Sequence, residues 1–268
     1  MRETRVAIAG LGAIGRTLAK RLAAGIPGLA LACASARDRA KAQAWLDAAG
    51  IECPLVELEE FPAQADLAIE CAPAAILEDV CTPMLMAGKR VMVLSAGALL
   101  PRPHLIALAS EHGGQIIVPT GALLGLDAVS AAAEGSINSV RMITRKPPAG
   151  LDGAPYLVQN GISVAGLDAA KCVFAGTARE AAAGFPENVN VVAALSLAGI
   201  GPDRTTIEIW ADPAVARNCH SIEVESDSAR FSLAIENIPS ENPKTGRITA
   251  LSALAALRKL HAPLRVGT

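Results

Sequence analysis

The sequence predicts an α/β fold: a Rossmann-type doubly wound parallel sheet, followed by a second α+β domain on a mostly antiparallel sheet. Three observations carry this. Short β-branched runs alternate with helical stretches over residues 1–120, the order of βαβ units and hence of a parallel sheet. Gly10, Gly12 and Gly15 form G-x-G-x-x-G directly after the first such run, where the first helix opens. In the second half, strand-like segments alternate polar and apolar residues, the mark of a sheet with one wet face.

"RVAIAG" (5–10) is a strand ending in glycine, and "GAIGRTLAKRLAAG" (12–25) has helical spacing, with Pro27 beyond its closing Gly25. "LALACA" (29–34) is a second strand and "DRAKAQAWLDAAG" (38–50) a second helix. "ADLAIECA" (65–72) is a strand, and "AAILEDVCTPMLMAG" (74–88) a helix that Pro83 should kink. "KRVMVLSAGAL" (89–99) is a strand with its exit loop, "PHLIALASEHGG" (103–114) a helix and "QIIVP" (115–119) the last strand of this half. Four strands are expected next, at 136–147, 203–213, 220–226 and 230–237, with two helices broken at Pro186 between 177 and 201. A C-terminal amphipathic helix spans 246–262. The expected division is a dinucleotide-binding domain over 1–120, a substrate and dimerisation domain over 121–241, and a segment 242–268 whose helix returns to the first domain.

Composition narrows the function classes. A chain of 268 residues has room for one large domain or two modest ones. Its apolar content is 51% with only 3% aromatic, so the core is aliphatic, as helices on a buried parallel sheet require. The net charge of −2 and the lack of a basic run argue against a nucleic-acid surface. No apolar stretch approaches the ~20 residues that span a bilayer. "MRETRVAIAG" reads as a charged lead-in to a strand rather than a signal peptide. Six cysteines without a C-x-x-C pair read as reduced thiols of a cytoplasmic protein. No His or Cys set has metal-ligand spacing. Cys219 and His220 are adjacent on a strand, so their side chains diverge.

The glycine motif sets up a dinucleotide site. Gly10 allows the tight turn, Gly12 lets a pyrophosphate approach the backbone, and Gly15 lets helix and strand pack closely. Ala13 and Ile14 open the helix, whose free N–H groups and positive dipole end suit an anion. Cys71 and Ala72, at the exit of the third strand, join the expected cofactor contacts. At the end of the second strand, where an NAD site usually has an acid for the ribose, stands Ser35, followed by Arg37, Asp38 and Arg39. A missing acid beside arginines fits a 2′-phosphate, so the site takes NADP as well as NAD. Hydride transfer also needs a proton acceptor. His220 is the one histidine in the second half's sheet region. The only tyrosine, Tyr156, lies in a Gly/Pro-rich loop.

"TRKPPAGL" (144–151), "AGTAREAAAGFPENVNVVAALSLAGIGPDRT" (175–205), "ADPAVARNCHSIEV" (211–224) and "NPKTG" (242–246) together resemble the L-aspartate dehydrogenases, as do "VLSAGAL" (93–99) and "PTGALLGLDAV" (119–129). The resemblance implies a Rossmann domain and an α/β domain that carries the substrate and a homodimer interface. It also implies NAD(P)-linked oxidative deamination of L-aspartate to iminosuccinate, which feeds NAD biosynthesis or hydrolyses to oxaloacetate. His220 matches the catalytic residue of that family, and Ala122 and Asn190 match cofactor contacts. An unperturbed imidazole titrates near pH ~6.5, so His220 is expected to exchange protons near neutrality. A dicarboxylic substrate needs cationic clamps, for which Arg145, Lys146 and Lys244 are candidates, with Asn242 and Thr245 as neutral donors. Two departures touch the substrate: "VESDSARFSLAIEN" (224–237) where relatives are glycine-rich, and Gly246 where they carry serine. Two other readings stay open: a different Rossmann oxidoreductase acting on an aspartate-derived compound, and a non-catalytic NAD(P)-binding redox sensor.

Overall fold

The computed structural model describes residues 3–186, 189–239 and 246–267. The chain divides into two compact units: Met1–Pro119 with Ala250–Arg265, and Thr120–Thr249 with Val266–Thr268.

In the first unit β1 (Thr4–Ala9), α1 (Ala13–Ala23), β2 (Leu29–Ser35), α2 (Arg39–Ala48), α3 (Phe61–Gln64) and β3 (Leu67–Glu70) follow in order. Then come α4 (Leu77–Met86), β4 (Arg90–Val93), α5 (Ala96–Leu99), α6 (Pro103–His112) and β5 (Gln115–Ile117). The five strands pair in parallel in the order β2-β1-β3-β4-β5. Alternate residues of β1 feed two different cores. Val6 and Ile8 meet Leu18 and Leu22 of α1 and Leu46 of α2, whereas Ala7 and Ala9 meet Phe61, Leu77, Val80 and Leu105 from the helices on the opposite face. That two-sided burial is why these strands read as continuous apolar runs. The helix expected from residue 74 opens there as a 3-10 turn (Ala74–Ile76) that runs directly into α4, and Pro83 lies within α4. The exit of β4, expected as loop, winds into α5.

The second unit contains α7 (Leu126–Ala133), β6 (Ile137–Lys146), α8 (Pro155–Gln159), β7 (Lys171–Thr177), α9 (Ala178–Gly184) and α10 (Asn190–Ala198). These are followed by β8 (Thr205–Ala211), β9 (Asn218–Ser226) and β10 (Arg230–Asn237). The sheet order is β10-β9-β6-β8-β7, antiparallel at every pair but the central β6–β8. β7, α7 and α8 were not anticipated from sequence. One face of the sheet is apolar, with Val140, Met142, Ile207, Ile209, Ile222 and Val224 buried. The other is wet and carries Arg141 between Glu208 and Glu223 at 2.6 and 3.2 Å. α11 (Ile248–Lys259) packs Ala253, Leu254 and Leu257 into the first unit's core, beside α1 and α2. Among the described residues no helix is long and apolar enough to cross a membrane.

Candidate functional site

At the carboxyl end of β1 the chain makes the turn that its glycines were expected to make. Gly10 has φ +97°, a conformation that favours glycine, and its N–H donates to the Ser35 carbonyl at 2.8 Å. A Cβ there would lie 2.8 Å from the Cys71 carbonyl oxygen. A Cβ on Gly15 would collide with the Gly10 carbonyl, while one on Gly12 would meet nothing. Gly12 caps α1, with neither a side-chain cap nor an acid in the first turn. The first N–H groups of α1 are therefore left without a side-chain cap, an arrangement that suits an anion. The structure thus brings Gly10, Gly12, Gly15, Ser35, Cys71 and Ala72 together at the carboxyl ends of β1, β2 and β3, and their geometry suits a dinucleotide pyrophosphate.

Beyond Ser35 the charges are already sorted. Asp38 caps α2 by accepting from the Lys41 N–H at 2.9 Å, and Arg39 is held by Glu57 at 2.6 Å. Arg37 is exposed at the end of β2. One of the two arginines, Arg39, is therefore committed to structure.

In the second unit His220 stands on β9, opposite Thr144 of β6 and Ile235 of β10. It faces the covered side of the sheet and is 4% exposed. Its Nδ1 shares a hydrogen bond of 3.1 Å with the Thr144 hydroxyl. When Nδ1 holds the proton and donates to Thr144, Nε2 is left as an acceptor. Lys146 lies two residues beyond Thr144, on the same face, and is 5% exposed. Burial pulls its ammonium down from the usual value to about 8. Burial, and then the charge of Lys146, pulls His220 down to about 3. The expectation of an imidazole exchanging protons near neutrality is thereby corrected: without ligand, His220 is neutral throughout the physiological range, because its cation is desolvated.

Arg145 goes the other way. It sits across from Cys219 on the wet face, binds Asp212 at 3.0 Å and stacks over Trp210 at 4.9 Å. Arg145 and Lys146 are consecutive on a strand, so the structure gathers Lys146 with His220 and leaves Arg145 behind the sheet. Asn190 is the exposed first residue of α10. The Ala122 carbonyl accepts from the Asn237 side-chain amide at 2.9 Å. Asn242, Lys244 and Thr245 lie outside the described residues. Three neighbours escaped sequence reasoning: Thr144, Asn237 and Glu70. Only Glu70 left a signal, as a charge closing an otherwise apolar strand.

Residues 127–260 match the family model described as aspartate dehydrogenase, C-terminal, and residues 10–119 match the NAD binding domain of homoserine dehydrogenase. The chain is 56% identical to L-aspartate dehydrogenase 3 of Bordetella bronchiseptica, covering 99% of this chain and 98% of that one. It is 55% identical to the L-aspartate dehydrogenase of Bradyrhizobium diazoefficiens, covering 99% and 95%. Its fold is similar to the crystal structure of aspartate dehydrogenase from Thermotoga maritima, with a TM-score of 0.77 at 23% identity over 99% of this chain and 100% of that one.

Proposed function

The chain belongs to the L-aspartate dehydrogenase family, and on that premise we propose that it oxidises L-aspartate to iminosuccinate with NAD or NADP. Iminosuccinate then serves pyridine-nucleotide synthesis or takes up water to give oxaloacetate and ammonia. The observation that carries this reading is the pairing of a neutral, hydrogen-bonded His220 with a buried Lys146 on one face of β6 and β9.

The first unit binds NAD(P): Gly10, Gly12 and Gly15 with the N–H groups of α1 hold the pyrophosphate, and Ser35 and Arg37 meet the adenosine ribose. When bound, the nicotinamide supplies the acceptor for the hydride leaving the substrate Cα. The chain's own residues supply binding and proton handling. Lys146, as an ammonium, takes one substrate carboxylate, and its desolvated charge makes that bond strong. Asn242, Lys244 and Thr245 are assigned to the remaining polar contacts, and Ala122 and Asn190 to the cofactor. Arg145, held by Asp212, supports β6 from behind. His220 Nε2 receives the proton lost as the amine becomes an imine, and the same nitrogen activates water for hydrolysis. A dianionic substrate raises the proton affinity of both Lys146 and His220, so the imidazole becomes a competent base once aspartate is in place.

The second unit's open sheet face is assigned to a homodimer contact, and light scattering should give twice the chain mass at working concentration. We assign the enzyme to the cytoplasm, a reading that its six free thiols support. The decisive assay follows NAD(P)H formation with L-aspartate, D-aspartate, L-glutamate and L-malate, with each cofactor. Turnover confined to L-aspartate is expected. Turnover only with malate, or binding of cofactor without turnover, would overturn the assignment.

A further inference from the structure

Glu70 ends β3 and has no exposed surface. The groups that meet it are neutral donors. The N–H groups of Leu94 and Ser95 donate to Oε2 at 3.2 and 2.9 Å, and the Ser95 hydroxyl donates to Oε1 at 3.1 Å. The Ala72 N–H donates as well. Backbone N–H groups can only donate, so this set of partners favours the carboxylate over the acid. Burial is the larger influence and raises its proton affinity above that of an ordinary carboxylate, against these donors.

Its place in the sheet gives this charge a use. The strand order reverses between β1 and β3, and ligands of such sheets lie outside the carboxyl ends at the reversal. The adenosine half belongs on the β2 side, with Ser35 and Arg37. The nicotinamide half therefore belongs over the exits of β3 and β4, and those exits, Ala72 and Leu94–Ser95, are what Glu70 ties together. Resting on the assignment of this crevice to NAD(P), we infer that Glu70 is an electrostatic positioning residue that favours the oxidised, positively charged nicotinamide over the reduced, neutral one. A buried anion beneath these strand exits would distinguish the two forms by their charge. Contacts to the pyrophosphate and adenosine do not.

The test is a set of dissociation constants for NAD+, NADH and ADP-ribose on the wild type and on Glu70→Gln. Glutamine keeps one acceptor oxygen for the Leu94 and Ser95 N–H groups, and its amide can donate to the Ser95 hydroxyl. NAD+ should weaken about tenfold, with NADH and ADP-ribose unchanged within about twofold. Equal weakening of NAD+ and NADH, or no change in either, would overturn the inference. If Glu70→Gln does not fold, the wild-type ratio of NAD+ to NADH affinity is measured from about pH 8 down to about pH 5. The titratable groups facing Glu70 are the thiols of Cys71 and of Cys81 on α4. Burial pushes Cys81 up to about 12 and Cys71 well above its ordinary value, so neither changes charge in that window. The ratio should fall as Glu70 takes up a proton, and a flat ratio would overturn the inference. A wild-type protein that binds none of the three ligands would refute the NAD(P) assignment instead.

Discussion

Lys146→Met should yield a more stable protein and a poorer enzyme. The ammonium of Lys146 is buried, and its proton affinity falls from the usual 10.5 to about 8. A difference of that size means that the charged form is disfavoured in the fold by roughly 3 kcal/mol relative to the unfolded chain. The folded pKa is the lower of the two, so the unfolded chain binds more protons between them. The penalty is therefore full below about pH 8 and fades as pH rises toward 10.5. Methionine has a similar length and no charge to desolvate, but it gives up the polar interaction that Lys146 makes, at a cost of about 1 kcal/mol. At pH ~7 the variant should therefore gain roughly 1–3 kcal/mol, seen as a melting temperature higher by about 2–12 °C. At pH ~10 the gain should shrink to a fraction of that. The KM for L-aspartate should rise by roughly 100-fold, since losing one partner of a buried charge pair costs about 3 kcal/mol or more. Cofactor affinity should not move. Differential scanning calorimetry at both pH values, with steady-state kinetics, measures all of this. A variant less stable than wild type at pH ~7, a gain that does not depend on pH, or an unchanged KM would refute the reasoning.

His220→Ala should lower kcat by roughly 10²–10⁴ while leaving NAD(P)H binding intact; a folded variant turning over near the wild-type rate would remove His220 from the chemistry. Thr144→Val keeps the shape and deletes the hydroxyl bonded to His220 Nδ1, so kcat should fall about tenfold for a stability loss of about 1 kcal/mol, readable from kinetics and urea unfolding. Arg37→Ala should weaken NADP more than NAD in fluorescence titrations, and equal weakening would show that Arg37 does not read the 2′-phosphate.

The alternation of β-branched runs and helices, the glycine turn after β1 and the polar–apolar alternation of the second sheet were legible because each rests on neighbours in sequence. Gly10 and Gly15 follow from local backbone geometry, and the predicted elements lie close to those observed. The strand rule that separated Cys219 from His220 also separates Arg145 from Lys146, so that division of the two cations was available without coordinates. Other features depended on residues far apart in the chain. Parallel pairing of β6 with β8 needs α8, β7, α9 and α10 to intervene and return the chain in the same direction. Glu70 found its donors on the exit of another strand, and Asn237 reached Ala122 across 115 residues. The sequence named His220 and Lys146, but an isolated imidazole and an isolated ammonium carry their ordinary proton affinities. What moved those affinities was the exclusion of water by strands and helices that meet only in the folded chain, and desolvation is a property of the whole packing that no local stretch of residues contains.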